Sequence, residues 1–280
     1  MDNSIRARVT ALLAVLVAAS PGLMAQPDGR QIIEQSIAAA DRSWAVNHSY
    51  TYIESDEVSH FEGERIKSTD VQVLKAIIVD GDTFEETVSH NGKPPTAEKI
   101  QKEQDALRRR QNETPQTRAD RLNQEKEDRA FIAEVPDAFE FRLLGEETID
   151  GRPAYILEAV PKPGYRSHTK YGKMFSKVRG KLWVDKQDFG WVKVEAVVTE
   201  SFPMGFFVAR VQPGTHITFQ QTRVADGIWL PKLVEVKADA KIFFVKNYRL
   251  REVITYSDYH LGQPDRSVPE SVTKSHPVGS

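Results

Sequence analysis

The sequence contains no cysteine. A disulfide framework is therefore excluded, and so is a thiolate that could hold a metal or a lipid. Beyond the N-terminal segment no apolar run approaches about eighteen residues, so the rest of the chain offers no spanning helix. Catalytic signatures are also missing. The histidines, His48, His60, His90, His168, His216, His260 and His276, are nowhere three or four residues apart, which removes the helical zinc spacings. No G-x-S-x-G elbow, P-loop or G-x-G-x-x-G fingerprint occurs, and no cofactor is expected. Charge of one sign is scarce as well: Lys+Arg 38 against Asp+Glu 40 gives a net charge of −2, a balance that argues against a general nucleic-acid binder.

The first 25 residues read as a secretory signal peptide. Arg6 and Arg8 form a basic start, Val9 to Ala19 is apolar apart from Thr10, and Pro21-Gly22 precedes a cleavage position at Ala25. Its removal takes away Asp2, Arg6 and Arg8 and leaves a net charge of −3. The expected location is the periplasm, without a membrane anchor. The roughly 255 residues that follow must be held by core burial alone.

Asp28 with Gln31 suggests a capping box, and Ile33, Ile37, Ala40 and Trp44 then recur at helical spacing. From Tyr50 the period changes to two. Strands are expected to about Phe61, through Val71 to Val79, and from Thr83 to Ser89, with Asp80-Gly81 as a hairpin turn. After Phe139, further strands are joined by Asp150-Gly151 and Asp226-Gly227. The stretch Gly180 to Asp185, a turn, then Trp191 to Val198 alternates clearly and is expected to form the middle hairpin of one antiparallel sheet. Pro231 is expected at an edge or a bulge. The last strand is expected over Ile242 to Tyr256, and residues 263–280 read as a flexible tail.

Two stretches depart from this pattern. Residues 96–130 carry a dense run of mixed charge, with Ile100, Leu107 and Leu122 as the large apolar groups before Phe131. Thr114-Pro115 fits an N-cap followed by proline at the first helical position, so two helices are expected to meet there. They form either a solvated excursion or a lid over the sheet. Residues 162–181 hold Arg166, Lys170, Lys173 and Lys177 interleaved with Tyr165, Tyr171 and Phe175, a patch suited to a surface loop or to an anionic membrane surface.

Candidate catalytic residues are absent. Asp185 and Asp188 form the nearest approach to a carboxylate pair, but their place between strands makes them turn residues. What remains is a surplus of large apolar groups on sheet positions: Trp183, Phe206, Phe207, Phe219, Trp229, Phe243 and Phe244. Phe206 with Phe207 and Phe243 with Phe244 place apolar groups on both faces, which calls for cover on both. These seven are the candidate ligand-binding residues.

Gly151-Arg152-Pro153-Ala154-Tyr155, then Gly180-Lys181-Leu182-Trp183-Val184-Asp185, then Asp226-Gly227-Ile228-Trp229-Leu230-Pro231 together resemble the LolA-like superfamily of bacterial envelope proteins. The resemblance implies a mainly β fold with helices (α+β): a strongly curved antiparallel sheet forming an open half-barrel. It implies one domain over residues 26–262; this sequence departs from the family pattern by inserting the charged helical segment at about 96–130 and the basic loop 162–181. It further implies a non-catalytic, extracytoplasmic protein that holds a lipid or an acylated lipoprotein in the concave face. An envelope sensor that binds a protein partner is the alternative.

Overall fold

The computed structural model describes residues 27–204, 209–242 and 246–262. The segment read as a signal peptide, the tail from 263, and Phe206, Phe207, Phe243 and Phe244 lie outside the described residues.

Helix α1 (Gly29–Asn47) is capped by Asp28, whose side chain accepts the Arg30 N–H. Its buried stripe is Ile32, Ile33, Ser36, Ala39 and Ser43, rotated from the stripe expected through Ile37, Ala40 and Trp44. Serines carry that stripe because their hydroxyls are satisfied within the helix. Ser36 Oγ donates to the Ile33 carbonyl (2.8 Å) and Ser43 Oγ to that of Ala39 (3.1 Å), so neither buries an open polar group.

The strands follow in chain order. β1 (Tyr50–Glu62), β2 (Arg65–Val79) and β3 (Asp82–His90) form a meander. After the helices α2 (Ala97–Gln111) and α3 (Pro115–Arg129), a 3-10 turn and the short α4 (Val135–Ala138) lead into β4 (Phe139–Ile149) and β5 (Arg152–Pro161). A 3-10 helix (Gly172–Lys177) precedes β6 (Val178–Asp185) and β7 (Trp191–Val198). The chain then gives β8 (Phe202–Met204), β9 (Ala209–Val211), β10 (His216–Ala225), β11 (Ile228–Ile242) and β12 (Lys246–Leu261). Asp80-Gly81 and Asp150-Gly151 both hold two successive residues at positive φ, the geometry that matches strand twist in tight hairpins.

The sheet order is β3-β2-β1-β12-β11-β10-β7-β6-β5-β4, with β9 also paired to β11 and β8 to β9. Every described pairing is antiparallel. β3 and β4 are not joined, so the sheet is an open half-barrel. Its middle is β11 with β10, and β1 docks on the last strand, β12, next to that centre. The β6–β7 hairpin sits to one side instead of at the centre, because the expectation overlooked that the N-terminal meander would add beyond β12. Isoleucine 242 ends β11 and does not begin the last strand. Pro231 lies beside a bulge, at the register shift where Gln220 faces Leu233 and Gln221 faces Pro231.

Directly paired residues share a face. One row of pairs therefore reads across the sheet as Leu157, Leu182, Val194, Phe219, Val234, Ile254, Asp56 and Gln72. Leu157 and Leu182 pack with Ile32 and Ile33 of α1 in the main core, so this row marks the inner, helix-covered face. Ile32, Ile33, Leu157 and Val184 are essentially inaccessible, and each contributes about 1.5–3 kcal/mol by burial. The row is apolar as far as Ile254 and polar from Asp56 onward.

Candidate functional site

The polar side of the inner face forms the floor of a hollow of about 720 Å³, within the range of small-ligand sites. Tyr52 and Glu54 of β1, Glu85 of β3, and Tyr256 and Tyr259 of β12 line the floor. Strand register puts them there: Glu54 pairs with Tyr256, and Tyr52 and Glu85 both pair with Ala76. Trp44, Asn47 and His48, at the end of α1, form one wall. Residues 110–131, from the end of α2 through α3, close the other with Arg110, Glu125, Asp128, Arg129 and Phe131.

The phenol rings cluster. Tyr52 lies 5.8 Å from Tyr256 and 5.5 Å from Tyr259 between ring centroids. Tyr52 donates its hydroxyl proton to Glu85 (2.9 Å). Burial holds the Tyr52, Tyr256 and Tyr259 phenols well above their ordinary range, and nearby carboxylates add to the effect at Tyr52 and Tyr256. Burial also raises Glu54, with the neighbouring Glu85 charge adding to it. The same cause comes first at Asp56, reinforced by Asp70, and at Glu252, reinforced by Asp56.

The two charged helices form the roof as an arm without a buried side chain. Thr96 and Thr114 cap them, and Pro115 opens the second. Along the first helix Glu98 meets Lys102 (2.7 Å), four residues on, and Asp105 meets Arg108 (2.7 Å), three residues on. Polar pins hold the arm to the β2–β3 hairpin and to α1. Glu103 accepts from the Thr87 hydroxyl (2.6 Å), Arg118 donates to the Asp80 carbonyl (3.0 Å), and Arg129 pairs with Asp41 (2.6 Å) while stacking over Trp44.

The strongest pin is Asp82, 6% exposed at the start of β3. It accepts the Thr83 N–H and pairs with His48 (2.8 Å), Arg110 (3.2 Å) and Arg121 (2.5 Å). Burial pushes its carboxyl up, but the Thr83 N–H, Arg121 and His48 outweigh this and hold it below the usual range. One carboxylate thus joins α1, the β2–β3 hairpin and both helices of the arm. Sequence reading missed it, because Asp80, Gly81 and Asp82 read together as turn residues.

Of the seven residues singled out for ligand binding, the three described ones, Trp183, Phe219 and Trp229, do not line the hollow. Trp183 alternates with the core residues Leu182 and Val184 and so points to the opposite face. There its indole N–H donates to Glu147 (2.7 Å) and Lys193 lies over its ring. Trp229 is buried with Ala154, Trp183 and Val192, and its backbone N–H donates to Ser43 Oγ (3.0 Å). Phe219 is half-buried on the inner face, between Val194 and Val234. Phe206, Phe207, Phe243 and Phe244 lie outside the described residues. The floor of the hollow is made of tyrosines and acids, which a search for greasy positions passes over. Their signal was available in the alternation of Tyr50, Tyr52 and Glu54.

In the basic loop, Arg166, Lys170 and Lys173 are exposed and Lys177 is half-buried. Two of its three aromatics turn inward. Phe175 is in the main core. Tyr165 donates to Glu134 (2.9 Å), and burial and that carboxylate push its phenol up to about 12. Asp185, expected as a turn residue, is the last residue of β6; it is fully buried and takes Arg152 through both oxygens (2.7 and 2.9 Å) and the N–H groups of Gln187 and Asp188 in the turn that follows. Among the described residues no helix is long and apolar enough to cross a membrane.

No protein-family model and no curated protein matches the sequence. Solved structures do. A DUF1329 family protein from Desulfovibrio piger is 15% identical, covering 84% of this chain and 94% of its own, with a TM-score of 0.32. An outer membrane lipoprotein-sorting protein domain from Vibrio parahaemolyticus is 13% identical over 81% and 92%, with a TM-score of 0.33. A LolA superfamily protein from Nitrosomonas europaea is 10% identical over 85% and 96%, with a TM-score of 0.34.

Proposed function

We propose that the chain is a non-catalytic extracytoplasmic binding protein that holds an amphiphile, a lipid or an acylated lipoprotein, on the inner face of its half-barrel. The observation that carries this reading is the change of polarity along one face. Val194, Phe219, Val234 and Ile254 form a half-buried apolar strip. Two residues beyond Ile254 on the same face, Tyr256 opens the polar hollow. An acyl chain laid on the strip would bring its polar end into the hollow, beneath the arm. Each methylene removed from water contributes about 0.8 kcal/mol.

The arm suits a lid. It covers the hollow through polar pins, and a segment without buried apolar contacts opens at low cost compared with the core. Export through the N-terminal segment would place the protein where such ligands occur.

Native mass spectrometry and lipid extraction of the protein purified from the periplasm test the reading. The expected result is one acyl-chain ligand per chain. A ligand-free mass, together with failure of added acyl-chain amphiphiles to bind, would refute it.

A further inference from the structure

The walls of the hollow are rich in acceptors and poor in free donors. Glu54 and Glu85 stand on its floor, and among the described residues neither makes an ion pair. The nearest described bases are already engaged: Arg110 with Asp82, and Arg129 with Asp41 and the Trp44 ring. Two further acceptors are closed off from water without a donor. They are Oδ1 of Asn47, in the α1 wall, and Oδ1 of Asp56, one inner-face position along β1 from Glu54. A buried acceptor left without a donor costs roughly 1–3 kcal/mol. Beside these oxygens stand the rings of Tyr52, Tyr256 and Tyr259, whose faces attract cations.

A neutral group in this position would leave the carboxylate charge uncompensated, and an anionic one would add like charge. A protonated primary amine supplies three N–H donors and one positive charge, and it is small enough to sit against the rings. We propose that the polar end of the ligand is a protonated amine, held by Glu54 and Glu85 among the three tyrosines. This rests on the reading of the hollow as an amphiphile site and narrows it from any head group to a cationic one with N–H bonds. Burial raises Glu54 and Asp56, in keeping with acids that await a counter-charge.

Single-chain probes of equal length test this on the full chain by calorimetry at pH 7.5, below the micelle range: dodecylammonium, dodecyltrimethylammonium and laurate. Dodecylammonium should bind at least tenfold more tightly than either, about 1.4 kcal/mol. The double variant Glu54→Gln, Glu85→Gln should lose that preference while keeping its residual affinity for laurate and an undiminished melting temperature. Equal binding of all three probes by the wild type would overturn the amine proposal and leave the amphiphile site standing. Equal binding of the two cations would overturn the requirement for N–H donors. Binding of none would overturn both the proposal and the reading beneath it. A preference that survives the double variant in a folded protein would show that these two carboxylates do not hold the head.

Discussion

Replacing Asp82 by alanine should cost more stability than removing the arm altogether. In the wild type this carboxylate is nearly inaccessible and meets His48, Arg110 and Arg121 at once. The two guanidinium side chains are themselves only about one-fifth exposed (22% and 21%). Stranding a buried charge costs about 3–5 kcal/mol. Here Arg121 keeps Glu113 and Glu125, and Arg110 keeps Glu113 at 4.0 Å, so a loss of about 2–3 kcal/mol is expected. For a domain of this size that lowers Tm by roughly 4–12 °C. The folded carboxyl is held below its unfolded value. Its stabilisation is therefore present above the unfolded pKa and lost as pH falls through the folded one, so wild type and variant should converge in acid. Hydrogen exchange should show faster opening across residues 97–129 in Asp82→Ala. A short Gly/Ser linker in place of 97–129 removes Arg110 and Arg121 but also uncovers Asp82 to water, and it takes away few apolar groups, so stability should stay within about 1–2 kcal/mol. A variant Asp82→Ala that melts like wild type, with unchanged exchange in the arm, would refute the pinning argument.

Asp185→Asn weakens a buried bidentate pair with Arg152 and should lower stability at neutral pH by roughly 2–4 kcal/mol in urea unfolding. The native carboxyl is held low, with the Arg152 and backbone N–H bonds outweighing burial, so the deficit should shrink as pH falls into the carboxylate range. Glu54 titrates in the opposite sense. Its folded pKa is raised, so its ionised form subtracts stability once pH rises above the unfolded value. Glu54→Gln should therefore raise Tm at pH 7 to 8, an advantage that fades in acid; a lower Tm at pH 8 would contradict the uncompensated charge. Gly190→Ala should cost about 1–3 kcal/mol by thermal melt, because the added methyl would overlap the buried Trp229 ring.

The strands, their Asp-Gly turns and both helices of the charged segment were legible because each has a local cause: period-two alternation, paired positive-φ turn residues, and Thr caps at 96 and 114. The sheet order was not. It depends on β1 docking on β12, a pairing of residues some two hundred positions apart that leaves no local mark. The α1 stripe was misjudged for a related reason. Ser36 and Ser43 count as polar in a periodicity, yet inside the helix their hydroxyls are satisfied and their small size lets Trp191 and Trp229 approach. The binding site was sought among aromatics, and two of these, Trp183 and Trp229, proved to be packing residues. The hollow instead takes its character from which face Tyr52, Glu54, Glu85 and Tyr256 share, and only the register of β1, β2, β3 and β12 fixes that.

The position of a bound chain on the sheet distinguishes the inner face from every other surface. A dodecylamine bearing a diazirine near its methyl end, photolysed on the full protein and followed by peptide mass spectrometry, reads that position. Adducts should fall on the inner-face residues of β7, β10, β11 and β12, around Val194, Phe219, Val234 and Ile254. Adducts confined to the outer face around Trp183, or to the basic loop at 162–181, would contradict the proposed site.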